Sequence, residues 1–320
     1  MSAAHRVGII GLGTVGGRFV DQFGRHDAFD LVAAWDPQTE ACERHADRVT
    51  VVADAAAVVD ACDVVYVAAP PLFHRTHVEA AIEREVAVFC EKPLGIDVEE
   101  SRALVEAVEA SGVPAGVNFV FASAPSALEL LGAVESGELG DLVRGDLRLH
   151  FARWPRAWHE QARWLRLRDQ GGWIREVVSH FLFLTARTFG PLTLETSSVA
   201  FPDGPDGELC EVDATARFSS HGGVPVTMIG TSLGVGEDVN DFTVRGLEAS
   251  ARVWDWYRFQ TTDGDGWRDS DDDDRAAKAD AAYTAQLDEL AKLLSGEPSL
   301  IATFAEALAV QELVEQILRS

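Results

Sequence analysis

Short apolar runs alternate with segments of helical periodicity through the first third of the chain. Four such runs occupy residues 6–10, 31–35, 64–69 and 86–90. An apolar run without polar alternation is typical of a strand that is buried on both faces. Strands that alternate with helices predict a doubly wound parallel sheet, and therefore an α/β fold.

The connections between these runs contain further elements. We predict a helix over about 38–47, a short strand near 49–52 and a helix around 54–61. A longer helix is expected over 97–111. Asp97 is its predicted N-cap, because a carboxylate can accept hydrogen bonds from the free amides of the first helical turn.

The pattern changes near residues 118–125, where strand-like stretches follow one another with few helices between them. This change predicts an open, mostly antiparallel sheet. A helix at 171–190 interrupts it, and two helices near 276–295 and 303–319 close the chain. The strand-like stretches are 142–153, 192–201, 209–219, 225–233, 241–248 and 251–259.

These patterns divide the chain into a doubly wound domain at 1–120 and an α+β domain at 121–320. An acidic run at 269–274 precedes the closing helices. Such a run is typical of a solvated loop.

The composition narrows the choice of partners. The formal net charge is −25, which disfavours nucleic acid and anionic membranes as partners. No stretch approaches the ~18 apolar residues of a membrane span, and the first predicted strand begins without the layout of a signal peptide. The four cysteines have no metal-ligand spacing, which favours a reduced, cytoplasmic protein.

The segment GLGTVG, which begins at Gly11, lies between the first predicted strand and a helix. Gly11 permits a tight turn, Gly13 lets a pyrophosphate approach the backbone, and Gly16 lets the helix pack on the strand. The first helical residues, Thr14 and Val15, would offer their amides to the phosphates. The motif predicts a dinucleotide cofactor; a turn that serves only packing is the alternative.

Asp36 follows the second predicted strand. A carboxylate there accepts hydrogen bonds from the ribose hydroxyls of the adenosine and repels a 2′-phosphate. No arginine stands beside it to bind such a phosphate, so the sequence favours NAD over NADP. A helix-capping role for Asp36 is compatible with the same position.

The fourth run ends in Glu91-Lys92-Pro93. The proline disfavours helical geometry at Lys92, and ligands bind at the carboxyl ends of the strands in an open α/β sheet. The chain has only three lysines, and a buried lysine can exchange a proton whereas an arginine effectively cannot. Lys92 is therefore a candidate for substrate chemistry.

Glu176 and His180 lie four residues apart in the predicted helix at 171–190, among apolar neighbours. A buried ionisable pair needs partners, which makes these two residues a second candidate for catalysis. The alternatives are a surface pair or a structural core histidine. A metal site formed with His150 or His159 has no spacing signature, so we predict no metal.

The segment 152–164 is rich in tryptophan and arginine. Its indoles could stack on sugar rings or belong to the core of a half-buried sheet. Arg153, Arg156 and Arg163 could reach an anionic group of the substrate or only balance the acidic surface.

Together these motifs resemble the Gfo/Idh/MocA family of oxidoreductases over essentially the whole chain. The resemblance rests on GLGTVG, APPLFH, CEKPLG, ESGELGDL, GGWIREVVSH and the closing FAEALAVQELVEQILRS. It implies a Rossmann domain followed by an α+β domain whose open sheet forms a homo-oligomer, either a dimer or a tetramer. It also implies hydride transfer between NAD(P) and a hydroxyl or carbonyl carbon, often of a sugar or polyol.

The resemblance assigns Lys92 a hydrogen bond to the reacting oxygen and makes His180 the residue that takes or gives its proton. Glu176 would orient the substrate and tune His180. Besides the glycine-rich turn and Asp36, the predicted cofactor-binding set includes Ala69, Pro70, His74, Glu91, Lys92 and Asn118.

The sequence lacks several polar groups that the family often has near its site. Phe183, Pro71 and the segment 121–124 stand at such positions, and Glu176 stands where Asp is frequent. We therefore expect a less polar substrate than inositol. Two other functions stay open: a redox-neutral glycosidase or lyase that uses NAD transiently, and a non-catalytic NAD-binding sensor.

Overall fold

The computed structural model describes residues 4–159, 162–202, 208–270 and 274–319. The chain forms two compact units. The first consists of Met1–Phe119 and Tyr283–Gln311, and the second of Val120–Ala282 and Glu312–Ser320.

The strands of the first unit are β1 (His5–Ile10), β2 (Phe29–Trp35), β3 (Val64–Val67), β4 (Ala87–Glu91) and β5 (Ala115–Asn118). They form one parallel sheet in the order β2-β1-β3-β4-β5. The chain thus builds the sheet outward from β1 in both directions, which confirms the predicted doubly wound fold. The strands β3 and β4 are buried along their whole length, as their unbroken apolar sequences predict.

The helices between these strands are α1 (Thr14–Arg25), α2 (Thr39–Glu43), α3 (Ala55–Ala61), α4 (His74–Ile82) and α5 (Val98–Ser111). The Asp97 carboxylate accepts a hydrogen bond from the Glu100 amide at 2.9 Å. This contact confirms the predicted N-cap of α5.

Two predictions for the segment between β2 and β3 are wrong. The helix over 38–47 is reduced to α2, and the strand near 49–52 is reduced to a single bridge between Val51 and Ala34. The Ala34 amide and carbonyl bond the flanking Thr50 and Val52. An apolar run of this length does not reveal whether it pairs over one residue or over several.

The strands of the second unit are β6 (Leu142–His150), β7 (Leu192–Ala200), β8 (Asp213–Ser220), β9 (Pro225–Thr231), β10 (Val239–Gly246), β11 (Ser250–Trp254), β12 (Arg258–Thr262) and β13 (Arg268–Asp269). They form a sheet in the order β13-β12-β11-β10-β6-β9-β8-β7. Over the described residues only the β6–β9 pair is parallel, which confirms the predicted mostly antiparallel sheet.

The predicted single strand at 251–259 is wrong, because the chain reverses between β11 and β12. Asp255 and Trp256 in this turn have positive φ angles of 46° and 67°. The Trp256 amide donates to the Asn240 side chain at 2.8 Å, and its carbonyl accepts from the Ser126 hydroxyl at 3.3 Å. Tertiary contacts thus stabilise a conformation that residues other than glycine rarely adopt, and no local signal predicts it.

The helices of this unit that precede β6 and β7 are α6 (Pro125–Glu135) and α7 (Ser179–Phe189). The residues directly before α7, Ile174–Val178, form a π-helix, in which hydrogen bonds join residues five apart. The predicted helix at 171–190 is therefore two segments with different periodicity.

The chain ends in α8 (Arg275–Leu294) and α9 (Phe304–Leu318), close to the predicted bounds. Residues 283–311 belong to the first unit, whereas the sequence places everything after residue 120 in a second domain. The helical pattern shows an apolar face but not the sheet on which that face packs.

Burial explains why this C-terminal segment joins the first unit. Leu287, Leu290 and Ile301 are buried in its core cluster. The Val117 amide, on the edge strand β5, donates to the Ala302 carbonyl at 2.8 Å. Both hydrophobic burial and a backbone bond therefore attach it to the parallel sheet.

No helix in the described part of the chain has an apolar stretch long enough to cross a membrane. Residues 271–273 of the predicted acidic loop lie outside the described residues.

Candidate active site

The glycine-rich turn after β1 leaves no room for side chains at two of its positions. Gly11 has a φ of 98°, and a Cβ there would lie 2.6 Å from the Ala68 carbonyl oxygen. A Cβ at Gly16 would lie 1.9 Å from the carbonyl oxygen of Gly11. Gly11 therefore lets the turn approach the backbone that follows β3, and Gly16 lets the start of α1 pack closely on the turn.

Gly13 differs from its neighbours, because a Cβ there would meet no protein atom within 4 Å. Its φ of −68° is accessible to any residue. Nothing in the described fold therefore requires glycine at this position. The open backbone here lies directly before Thr14 and Val15, the first residues of α1, and no acidic residue in that turn would repel a pyrophosphate.

Asp36 connects the end of β2 to the glycine-rich turn. One carboxylate oxygen accepts a hydrogen bond from the Leu12 amide at 2.7 Å, and the other accepts from the Gln38 amide at 2.8 Å. The N-cap of α2 is Gln38, not Asp36. A carboxylate has about four lone-pair positions, so Asp36 keeps acceptor capacity for ribose hydroxyls.

His74 lies behind the loop that follows β3. Its side chain is completely buried, and Nε2 donates to the Ala69 carbonyl oxygen at 2.8 Å. Burial lowers the pKa of His74 to about 4, so the ring is neutral. A side chain without exposed surface can affect a bound nucleotide only through the loop, where Ala69 is half-buried and Pro70 is exposed.

Glu91 and Asn118 are buried at the carboxyl ends of β4 and β5. The side-chain amide of Asn118 donates to Glu91 Oε1 at 2.6 Å, and the Tyr66 hydroxyl donates to the same oxygen. Gln286 donates to Asn118 Oδ1 at 3.2 Å. Burial, followed by the Glu91 charge, raises the pKa of Tyr66 well above its usual value, which keeps its hydroxyl a donor.

This network explains how the residue before Lys92 is held. Lys92 directly follows β4, is 9% exposed, and precedes Pro93 through a cis peptide bond. The sequence did not reveal Tyr66 or Gln286 as members of the network. A polar tyrosine inside the apolar run VVYV was the available signal for Tyr66.

In the second unit, His180 is the second residue of α7 and is 8% exposed. Its ring lies at right angles to two aromatic rings. The centroid distances are 6.2 Å to Phe121 and 5.3 Å to Trp256, and the interplanar angles are 82° and 83°. The imidazole therefore packs edge-to-face against both aromatic rings.

Glu176 lies within the π-helix, 3.9 Å from His159 Nε2. The ring nitrogens of His150 contact two backbone carbonyl oxygens instead, that of Glu237 at 2.8 Å and that of Leu233 at 3.2 Å. Among the residues that the structure describes, no group of three His, Cys, Asp or Glu side chains could hold a metal ion.

The tryptophans of the segment 152–164 have different environments. Trp154 is half-buried and donates through Nε1 to the Leu165 carbonyl oxygen at 3.1 Å, whereas Trp158 is 45% exposed. Of the arginines, Arg153 and Arg163 are exposed and Arg156 is half-buried.

A buried carboxylate holds the start of the π-helix. Glu211 is 1% exposed and accepts a hydrogen bond from the Ile174 amide at 2.7 Å. Gly172 has a φ of 101°, and a Cβ there would lie 2.3 Å from the Glu211 carboxylate. Burial raises the pKa of Glu211 to about 7. The glycine pair in GGWIRE was the only sequence signal for this contact.

Arg175, a residue of the π-helix itself, forms further buried contacts. It is 7% exposed and forms a bidentate pair with Glu315, at 2.6 Å and 2.9 Å. Its Nη1 donates to the carbonyl oxygens of Arg168 and Gly171. The helix that contains Glu176 and His180 is therefore held by buried charged groups that the sequence did not identify.

The raised pKa of Glu211 predicts a pH-dependent stability. The unfolded chain loses this proton near the usual pKa of 4.5 and the folded chain near 7, so the folded state is progressively destabilised between these values. Glu211→Gln keeps an acceptor for Ile174 but does not titrate. We expect its free energy of unfolding, relative to wild type, to rise by up to about 3 kcal/mol between pH 4.5 and 8.

Urea unfolding at both pH values measures this difference. Glu208→Gln, an exposed residue three positions earlier, is the matched control and should show no such change. An equal difference between Glu211→Gln and wild type at both pH values would refute the prediction.

Comparison with known proteins agrees with this geometry. Residues 5–119 match the model of the GFO_IDH_MocA family, described as an oxidoreductase family with an NAD-binding Rossmann fold. Inositol 2-dehydrogenase 4 of Saccharopolyspora erythraea is 37% identical over 142 residues, which are 42% of this chain and 42% of that enzyme. The chain thus matches less than half the length of this curated relative.

Solved structures resemble the fold over almost the whole chain. An oxidoreductase from Agrobacterium radiobacter, in complex with NAD⁺, L-tartaric acid and magnesium, has a TM-score of 0.83 and 19% identity, covering 99% of this chain and 97% of its own. The WlbA dehydrogenase from Bordetella pertussis, in complex with NADH and UDP-GlcNAcA, has a TM-score of 0.82 and 18% identity, covering 100% and 96%. These likenesses establish the fold.

Residues 5–119, about a third of the chain, are therefore similar to the NAD-binding Rossmann domain of the GFO_IDH_MocA oxidoreductases, and the rest of the chain resembles solved oxidoreductases in fold.

Proposed function

We propose that the protein is an NAD-dependent oxidoreductase that acts on a hydroxyl or carbonyl carbon of a small substrate, a sugar or sugar derivative. The observation that supports this most directly is the open position at Gly13. The two other glycines of the turn are enclosed by protein, and this one is not. An unfilled approach to a helix N-terminus is what a pyrophosphate requires.

The first unit supplies the groups that would hold the cofactor. The backbone at Gly13, Thr14 and Val15 would bind the phosphates, and the Asp36 carboxylate would accept from the adenosine ribose. The negative charge of Asp36 favours NAD over NADP, because it repels a 2′-phosphate. Ala69, Pro70, Glu91 and Asn118 would shape the carboxyl edge of the sheet, with His74 supporting the loop at Ala69.

When bound, the nicotinamide accepts or donates the hydride. Lys92 is proposed to donate a hydrogen bond to the reacting oxygen. His180 would take the proton from the hydroxyl group during oxidation and return it during reduction. Its ring packs edge-to-face against Phe121 and Trp256, and a histidine within hydrogen-bond reach of a hydroxyl can act as a general base. Glu176 would orient the substrate and hold charge near the imidazole.

Two observations bear on the substrate. The related enzyme from Saccharopolyspora erythraea is named an inositol 2-dehydrogenase, which supports a sugar or polyol. Phe121 and Phe183 are buried in the second unit where polar groups are frequent in the family. We therefore propose a substrate with fewer hydroxyls than inositol.

Gly13→Ala should weaken cofactor binding and leave the fold intact. The added methyl meets no protein atom but would occupy the space through which a pyrophosphate approaches. We expect NADH affinity to fall at least tenfold, measured by fluorescence titration. Gly24→Ala, at the other end of α1 and equally uncrowded, is the control. Unchanged NADH affinity in Gly13→Ala would exclude this binding mode.

Purified protein should reduce NAD⁺ when offered aldoses, polyols or hydroxy acids, measured by NADH absorbance. Lys92→Ala and His180→Ala should each lose at least ~10²-fold in rate while still binding NADH. His221→Ala, an exposed histidine of the second unit, should be unaffected. Near-normal turnover in either variant would remove that residue from the mechanism.

Other outcomes of this assay distinguish the alternatives. Product formation without net NADH would indicate the redox-neutral glycosidase or lyase. Cofactor binding without any turnover, in both the oxidative and the reductive direction, would indicate the sensor.

We also propose a cytoplasmic homo-oligomer, a dimer or tetramer, assembled through the outer face of the eight-stranded sheet. Ile229 is 53% exposed on β9, with Arg148 of β6 and Thr215 of β8 as its neighbours in register. This face carries both signs of charge, as in Asp146 and Arg217, which suits a self-complementary interface. The free cysteines and the net charge of −25 support a reduced compartment and a small-molecule substrate.

Light scattering coupled to gel filtration tests the oligomer. We expect wild type at two or four times the monomer mass and Ile229→Arg at a lower multiple, because a buried unpaired charge destabilises an interface. Leu247→Arg, at a residue that is 70% exposed in a loop, is the control. A monomeric wild type, or an Ile229→Arg variant of unchanged mass, would contradict the proposed interface.

A further inference from the structure

The guanidinium of Arg156 lies among four aromatic rings of the second unit. The nearest is Trp158, whose ring centroid is 4.7 Å from the guanidinium carbon. The other three distances are 5.5 Å to Phe151, 5.7 Å to Trp154 and 6.0 Å to Trp256. The rings replace much of the water that would hydrate a surface arginine.

Within the part of the chain that the structure describes, this guanidinium has no hydrogen bond and no ion pair, and its Nε is buried without a partner. Burial lowers the pKa of Arg156, and the charges of Glu176 and Asp238 oppose this effect. An arginine nevertheless stays protonated in proteins. A desolvated cation without a paired anion costs free energy that a bound anion would recover.

Two sets of contacts place Arg156 beside the proposed catalytic residues. The Trp256 ring contacts both the guanidinium and, at 5.3 Å, the His180 ring. The Trp158 ring lies 3.7 Å from the His159 ring, and His159 lies 3.9 Å from Glu176. The Arg156 guanidinium and the His180 ring therefore share one aromatic neighbour, and a ligand that lies along this indole would contact both.

We propose that Arg156 binds a carboxylate group of the substrate, so that the enzyme acts on a hydroxy acid or a sugar acid. This inference rests on the proposed function and names its substrate class. The planar fork of a guanidinium matches a carboxylate through two parallel hydrogen bonds. The half-exposed Trp158 would cover the carbon chain of the substrate.

The charge balance favours a carboxylate over a phosphate. The other cation whose field acts on Arg156 is Arg275, which forms its own pair with Asp255 at 2.9 Å. A single guanidinium neutralises a monoanion, whereas Glu176 and Asp238 would repel a dianion more strongly. Arg153 and Arg163 are exposed. Replacing one of them shows how much of any anion binding is due to nonspecific attraction by surface arginines.

Isothermal titration calorimetry of the NAD⁺-saturated protein tests this assignment with three matched pairs of compounds. The pairs are D-glycerate and glycerol, L-threonate and L-threitol, and D-gluconate and D-glucitol, which differ only in a carboxylate or an alcohol at one end. We expect at least one carboxylate to bind at least tenfold more tightly than its alcohol. Arg156→Gln should lose that preference and leave the affinity for NAD⁺ unchanged.

Two further variants make the result specific. Arg153→Gln, an exposed arginine of the same segment, should keep the full preference. Arg156→Lys keeps the charge but not the two parallel donors, so it should keep only part of the preference. If Arg156→Gln does not fold, as judged by its thermal transition, Arg156→Lys alone decides.

The inference is overturned if wild type prefers none of the carboxylates, or if the deciding Arg156 variant keeps the full preference. Failure of the proposed function is separately visible. An Arg156-dependent preference in a protein that neither reduces NAD⁺ nor oxidises NADH would retain the anion site and refute the oxidoreductase. Turnover of neutral alcohols without any carboxylate preference would support the oxidoreductase and refute the anion site.

Discussion

The first unit depends on close backbone contacts at the turn between β1 and α1. A Cβ at Gly11 would overlap the backbone that follows β3, and a Cβ at Gly16 would overlap the carbonyl of Gly11. The Asp36 carboxylate, at the end of β2, accepts a hydrogen bond from the Leu12 amide in the same turn. This packing leaves Gly13 as an open position in front of a helix N-terminus, and the proposed approach of the cofactor depends on it.

Buried polar groups hold the candidate catalytic segments in both units. Next to Lys92, Glu91 shares one oxygen between Tyr66 and Asn118. Before Glu176 and His180, Glu211 binds the first amide of the π-helix. Buried polar groups are costly unless they are hydrogen-bonded, so each network has few alternative arrangements. The backbone positions of Lys92, which follows Glu91, and of Glu176 and His180, which follow Ile174, are restricted in the same way.

Two arginines of the second unit show how structural and ligand-binding roles differ. Arg175 is buried with a bidentate carboxylate and two carbonyl oxygens. Arg156 is surrounded by aromatic rings and, over the described residues, has no hydrogen bond or ion pair. In the first case the fold itself satisfies the charge. In the second the fold removes water without supplying an anion, which a substrate carboxylate would supply.

Local patterns in the sequence determined the alternation of strands and helices, the glycine-rich turn, the acid after β2 and the N-cap at Asp97, because each depends on residues close together in the chain. Only the tertiary structure decided the rest. Residues 283–311 join the first unit through buried leucines, and the turn at Trp256 forms because distant Asn240 and Ser126 bind its backbone. Glu211, which precedes β8, binds the Ile174 amide of the π-helix, and the Trp256 ring reaches Arg156 from a position 100 residues further along the chain. Such contacts join residues far apart in sequence, and no periodicity or spacing encodes which of them meet.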